Sequence, residues 1–200
     1  MNNAIKDIAL KGLVAGSLGS LLSTVVLALA GRRQAGSAAA PVNAVSHWYW
    51  GDEALQRQET DAAHTAVGYV THHGASVFWA SLYAAAVHGR PALQTAPVTA
   101  VGALATSALA CFVDYKLTPK RLTPGFEHRL DTGAMVGVYA AMAVGVAAGA
   151  LLMRERAGTQ KRQARQPEIP TEGQPQGPQR GSAGVHRVRP YPATVQTTND

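Results

Sequence analysis

The sequence predicts an all-α protein, an integral membrane four-helix bundle with a disordered C-terminal tail. Three observations predict it. Charged residues make up only 15% of the 200 positions, against about 25% in ordinary soluble domains. Four long runs contain no Asp, Glu, Lys or Arg: Gly12–Gly31 (20 residues), Ala62–Gly89 (28), Pro91–Val113 (23) and Thr132–Met153 (22). Beyond Arg154 the composition changes, and that stretch holds six of the eleven prolines. A hydrocarbon core of about 30 Å needs about 20 helical residues at 1.5 Å each, and every run meets that length. A soluble helix of this length would carry a charged outer face, and none of the four runs does. The expected division is a membrane domain over 1–156, with spans at about 9–31, 66–88, 95–114 and 131–153, and a tail over 157–200.

The first span begins after Lys6 and Lys11 and ends in Ala28-Leu29-Ala30, which also fits a cleaved signal peptide. Its apolar run is longer than the usual 7–15 residues of such a leader. Gly12, Gly16, Gly19 and Ser23 lie on one face at helical spacing, the pattern of membrane helices that approach closely. An uncleaved span is expected.

The second span is the most informative. Thr65, Tyr69, His72, Ser76, Trp79 and Tyr83 follow spacings of four, three, four, three and four, so hydroxyls, an imidazole and rings share one stripe. Polar groups in hydrocarbon are costly unless paired, so this stripe should face other helices or a wet cleft. Two uses of it stay open: interhelical hydrogen bonding, or a binding cleft with His72 at its base and Asp114 at its rim. His73 points about 100° away.

The third span is mostly Ala, Val, Leu, Thr and Ser, with the single cysteine, Cys111, as a small apolar filler. One cysteine excludes an intrachain disulfide and every multi-cysteine metal motif. In the fourth span Gly133, Gly137, Ala141, Gly145 and Gly149 recur at every fourth position. Both small-residue ridges speak to packing, and through them to a possible homo-oligomer. The tail, rich in Gln, Arg, Pro and Gly, has no apolar periodicity and is expected to be disordered. Its arginines suit anionic lipid headgroups. Without aromatic interleaving, no specific nucleic-acid binding is expected.

Four spans put both termini on one side with the loop at Arg90, and the loops 32–61 and 114–131 on the other. Near the membrane the terminal side carries eight Lys and Arg and the opposite side seven. The concentration of cations after the last span tips the termini toward the cytoplasm. The two-loop side gathers His47, Asp52, Glu53, Asp61, His64, Asp114, Lys120, Arg121, Glu127 and His128, and the run His47-Trp48-Tyr49-Trp50 suits the bilayer interface. Thr123 is placed to cap a helix starting at Pro124, with Glu127 in its first turn.

Imidazoles and carboxylates gathered in this way can hold a metal, and His64, His72, Asp114 and Glu127 are the candidate ligands. No His-Glu-x-x-His or Cys-x-x-Cys spacing supports them. Only the second span carries His within its apolar run, against a haem held by two facing histidines. No acid or base lies in the middle of the other spans, against a pump. Nucleotide-loop and hydrolase motifs are missing, so no catalytic residue is assigned and the cofactor is unknown. The expected role is structural or in assembly, through packed helices. The alternative is a metal- or small-ligand-binding membrane protein using the His/Asp/Glu group.

The strings His64-Thr65-Ala66-Val67-Gly68, Ala75-Ser76-Val77-Phe78-Trp79-Ala80, Val113-Asp114-Tyr115 and Pro119 through Glu127 resemble a group of small uncharacterised bacterial inner-membrane proteins with four predicted helices. The resemblance covers roughly residues 44–150 and excludes the tail. It implies the architecture, a bacterial origin and the inner membrane, and carries over no activity and no catalytic residue.

Overall fold

A computed structural model describes residues 3–163, and these are helical with no strand among them. Helix α1 spans Asn3–Gln34. Three short helices follow, α2 (Ala40–Val45), α3 (His47–Trp50) and α4 (Asp52–Gln56). A π-helical turn, Ala62–Ala66, leads into α5 (Val67–Val87). Helix α6 (Ala96–Phe112) closes in a second π-helical turn, Val113–Leu117. Short 3-10 turns at Lys120–Leu122 and Phe126–His128 precede α7 (Thr132–Gln163).

Three helical stretches are long and apolar enough to cross a membrane: Asn3–Gln34, Ala96–Leu117 and Thr132–Thr159. Helix α5 has the length, at 21 residues. Its Tyr69, His72, His73, Trp79 and Tyr83 make it less apolar than the other three.

Small residues set the packing. The buried face of α1 is Gly12, Ala15, Gly16, Gly19, Ser20, Ser23, Leu27 and Gly31, and that of α6 is Thr99, Ala103, Ser107 and Ala110. Both recur every three or four residues, one helical ridge. Helix α1 runs antiparallel to α5. A Cβ on Gly12 would strike Ser81, and one on Gly16 would lie 2.8 Å from the Val77 nitrogen. Helix α1 is also antiparallel to α7, where a Cβ on Gly149 would lie 3.0 Å from the Ala15 nitrogen and one on Gly145 would fall 2.5 Å from the Gly19 backbone. The glycine ridges are thus largely filled by contacts within the chain. Helix α6 lies along α7, where Ser107 Oγ donates to the Tyr139 carbonyl at 2.6 Å. Helices α5 and α6 meet over a shorter length, leaving a seam.

The large apolar side chains point the other way. Val70 and Val101 are each 67% exposed and Val144 61%, while Ser20 and Ser23 are wholly buried. Water would reverse that distribution.

The stretch expected to be an interfacial loop contains a plug. Every residue of α2 is buried, as are Ser46 and His47. Three glycines from distant elements admit it. A Cβ on Gly31 would meet the Pro41 ring at 2.6 Å, one on Gly68 would collide with the Val42 carbonyl, and one on Gly125 would come 2.7 Å from His47 Nδ1. Gly125 also sits at φ +89°, a conformation that disfavours any side chain. Of the aromatic run, His47 is buried and Trp48 Nε1 donates to the Thr123 carbonyl at 2.8 Å, while Tyr49 and Trp50 are exposed.

Two boundaries differ from the sequence expectation. Thr123 caps no helix: its hydroxyl donates to the Lys120 carbonyl at 3.0 Å, and α7 starts at Thr132. There Asp131 Oδ1 accepts from the Ala134 amide at 2.8 Å, as an N-cap does. Helix α7 then continues to Gln163, through the first seven positions of the expected tail, because no proline breaks it before Pro167. The rest of that tail lies outside the described residues.

Candidate functional site

The antiparallel register of α1 and α5 sets Ser23 opposite His72, with Ser23 Oγ 2.8 Å from His72 Nε2. Ser23 Oγ also donates to the Gly19 carbonyl at 2.8 Å. A hydroxyl has one proton to give, so this arrangement assigns the His72 bond to an Nε2–H donating to Ser23 Oγ. In the neutral ring that leaves Nδ1 as an acceptor. One turn on, Ser76 Oγ donates to the His72 carbonyl at 3.0 Å.

Asp114 arrives from the other side of the seam. It lies on the π-helical turn that ends α6, an irregularity common at functional sites. Asp114 Oδ2 accepts from the Tyr139 hydroxyl of α7 at 2.6 Å. The Tyr115 and Tyr139 rings meet edge to face with centroids 6.2 Å apart, and the Tyr115 hydroxyl reaches Glu127 Oε2 at 3.5 Å. His72 and Asp114 are half-buried.

Both line one cavity of about 70 Å³. By a measure in which one water needs about 10–15 Å³, this holds roughly five to seven small heavy atoms. Trp48, Trp79, Phe126 and Tyr139 form much of its wall, with Ser23 and Ala110 also in the lining. It has the usual character of a ligand site, an apolar concavity with a few convergent polar groups.

The other two candidate ligands stand elsewhere. His64 is nearly buried at the turn leading into α5, where Nδ1 donates to Asp61 Oδ1 and Oδ2 at 3.0 and 3.1 Å. Glu127 lies on the connector before α7, beside Tyr115 and His128. Neither lines the cavity. Among the described residues no group of three or more His, Cys, Asp and Glu side chains is placed to hold a metal ion. Two loops and a helix can share a membrane face and still place their side chains in separate local networks. Spacing alone marks Ser23 as one member of a packing stripe and leaves Tyr139 unmarked among small residues.

His64 belongs to the network that ties down the loop below α2. Asp61 Oδ1 accepts from the His64 amide at 2.7 Å, and Arg57 Nε lies 3.2 Å from Asp61 Oδ2. The His64 amide is the largest influence on the Asp61 carboxyl. With the His64 ring and Arg57, it outweighs desolvation and holds the pKa at about 2. A group with a lowered folded pKa contributes stability above its unfolded value, and loses that contribution as pH falls through the folded one. Melting curves of the wild type and Asp61→Asn should differ by a constant amount from pH 7 to about pH 4. The difference should shrink toward pH 2. A gap unchanged at pH 2 would contradict the assignment.

At the opposite end of the helices, Lys11 of α1, His88 and Arg154 of α7 border a recess of about 30 Å³. Asp7 pairs with Lys11 at 2.7 Å and His88 at 3.3 Å, and Arg154 donates to the Gln94 carbonyl at 2.8 Å. Lys11 and Arg154 already have partners.

No family model, curated protein or solved structure matches the chain.

Proposed function

We propose that the chain is a four-span protein of a bacterial inner membrane, with α1, α5, α6 and α7 as spans and both termini in the cytoplasm, and that it takes a small ligand into the cavity between His72 and Asp114. The outward-facing Leu, Val and Phe side chains support the membrane setting, and lipid around α5 is consistent with its polar stripe turning inward. The observation that carries the ligand reading is the cavity itself. Two ionisable side chains from different helices converge on preformed space that packing alone would have closed. Inner membrane and bacterial origin rest on the resemblance at His64–Gly68, Ala75–Ala80 and Pro119–Glu127.

A purely structural or assembly role is the second reading, favoured by the backbone-to-backbone contacts at Gly16, Gly145 and Gly149. The two readings part at Ala110, which is 1% exposed and lines the cavity. Ala110→Leu should fill the space. If the cavity serves only packing, the variant gains stability, on the order of 1 kcal/mol, and loses nothing else. If it holds a ligand, native mass spectrometry of detergent-purified wild type shows a small-molecule adduct that Ala110→Leu lacks. Identical spectra for the two proteins would remove the ligand reading. The membrane setting is tested apart from this by alkaline carbonate washing, after which the chain should stay with the vesicles. Release into the supernatant would overturn it.

A further inference from the structure

We infer that the cavity is built for a small organic ammonium, a compact primary or secondary amine in its protonated form, with Asp114 as counter-ion; this rests on the ligand reading above. The Asp114 carboxylate receives one internal hydrogen bond, from the Tyr139 hydroxyl at 2.6 Å, and makes no ion pair among the described residues. Among the described residues no Lys or Arg lines the cavity. A carboxylate held within a membrane-spanning layer is costly unless a cation meets it. The described residues supply none in the lining.

The other walls fit the same guest. Neutral His72, with Nε2–H engaged by Ser23, offers Nδ1 as an acceptor for an N–H donor. A carboxylate and an imidazole acceptor lining one cavity suit a group with at least two N–H bonds. Trp48 and Trp79 also line the cavity, and ring quadrupoles attract cations, most strongly in desolvated sites. The remaining surface is apolar and suits a short alkyl chain. An anion would face Asp114 with nothing to balance it, and a neutral alcohol would leave the carboxylate unpaired.

The test uses three four-carbon probes, n-butylammonium, n-butanol and n-butyrate, on the full-length protein in detergent at neutral pH. The readout is tryptophan fluorescence, since two of the three tryptophans line the cavity. Butylammonium should change the emission saturably and bind at least tenfold more tightly than butanol, with butyrate without effect. Asp114→Asn should weaken butylammonium at least tenfold, whereas Tyr139→Phe, which keeps the carboxylate, should retain it. If Asp114→Asn does not fold, the probe series on the unaltered protein decides. Butanol or butyrate binding as tightly as butylammonium overturns the ammonium proposal and leaves the ligand cavity standing. Silence from all three probes also overturns it, and the cavity is then judged by the Ala110→Leu comparison alone.

Discussion

Gly145→Val is expected to stop the protein accumulating in folded form. Its added carbons would enter the backbone of α1, where even a Cβ would sit 2.5 Å from the Gly19 nitrogen and Cα and closer still to the Leu18 carbonyl. Backbone cannot rotate aside as a flexible side chain can, so α1 and α7 must separate along their length. Overpacking usually costs about 1–3 kcal/mol. Here the obstacle is main chain, and the cost should be about 3 kcal/mol or more, a large share of a typical folding free energy. Gly74→Val is the control, because nothing lies within 4 Å of its Cβ position. That variant should run as a single species in detergent and melt with the wild type, while Gly145→Val should aggregate. The comparison also addresses assembly through the glycine ridges. If those ridges joined two copies instead, Gly145→Val would dissociate an oligomer and leave a well-folded protomer.

The second large effect is expected at Asn43, buried at the centre of the α2 plug. Its amide nitrogen donates to the carbonyls of Arg57 at 3.3 Å and Glu59 at 2.8 Å, and its oxygen accepts from Thr65 Oγ1 at 2.6 Å. One side chain thereby ties α2 to the loop and to the turn that leads into α5. Asn43→Ala removes three hydrogen bonds at about 1 kcal/mol each, so a loss of about 2–3 kcal/mol is expected. The loss is local, and trypsin should cut after Arg57 at least tenfold faster while the long helices persist. Asn43→Asp is nearly the same shape but should be worse than alanine. It turns a buried negative charge toward two carbonyl oxygens with only the Thr65 hydroxyl to donate. Finding Asn43→Asp as stable as the wild type would show that this network does not hold the loop.

Parts of the cavity were legible in advance. The spacing from Tyr69 to Tyr83 put His72, Ser76 and Trp79 on one stripe, and the rule that polar groups avoid lipid turned that stripe inward. One of the two open readings of that stripe put Asp114 at the rim of a cleft. What could not be read was the partner of each polar atom. Ser23 meets His72 only because α1 and α5 run antiparallel in one register, and a shift of a single turn, about 5.4 Å, would pair His72 with another residue. The same holds for Tyr139 and Asp114. His64 and Glu127 fell on the same face as the cavity residues but were drawn into local bonds with Asp61 and Tyr115. Short-range geometry of that kind leaves no periodic mark. The α2 plug was hidden for a similar reason. Six residues are too few to show a helical period, and their burial depends on Gly31, Gly68 and Gly125, which come from three separate elements.

The chain alone determined that its residues are mostly helical and that long stretches of helix are apolar, since both properties belong to runs of neighbours and need no distant contact. It also marked which faces would be small, because glycine and alanine declare themselves by spacing. Tertiary structure decided where those faces went, into the α1 contacts with α5 and α7. It also decided which imidazole met which hydroxyl, and that His72 and Asp114 share a space while His64 and Glu127 do not. Those outcomes depend on the register between helices. Register follows from the fit of one whole surface against another, which no single segment encodes.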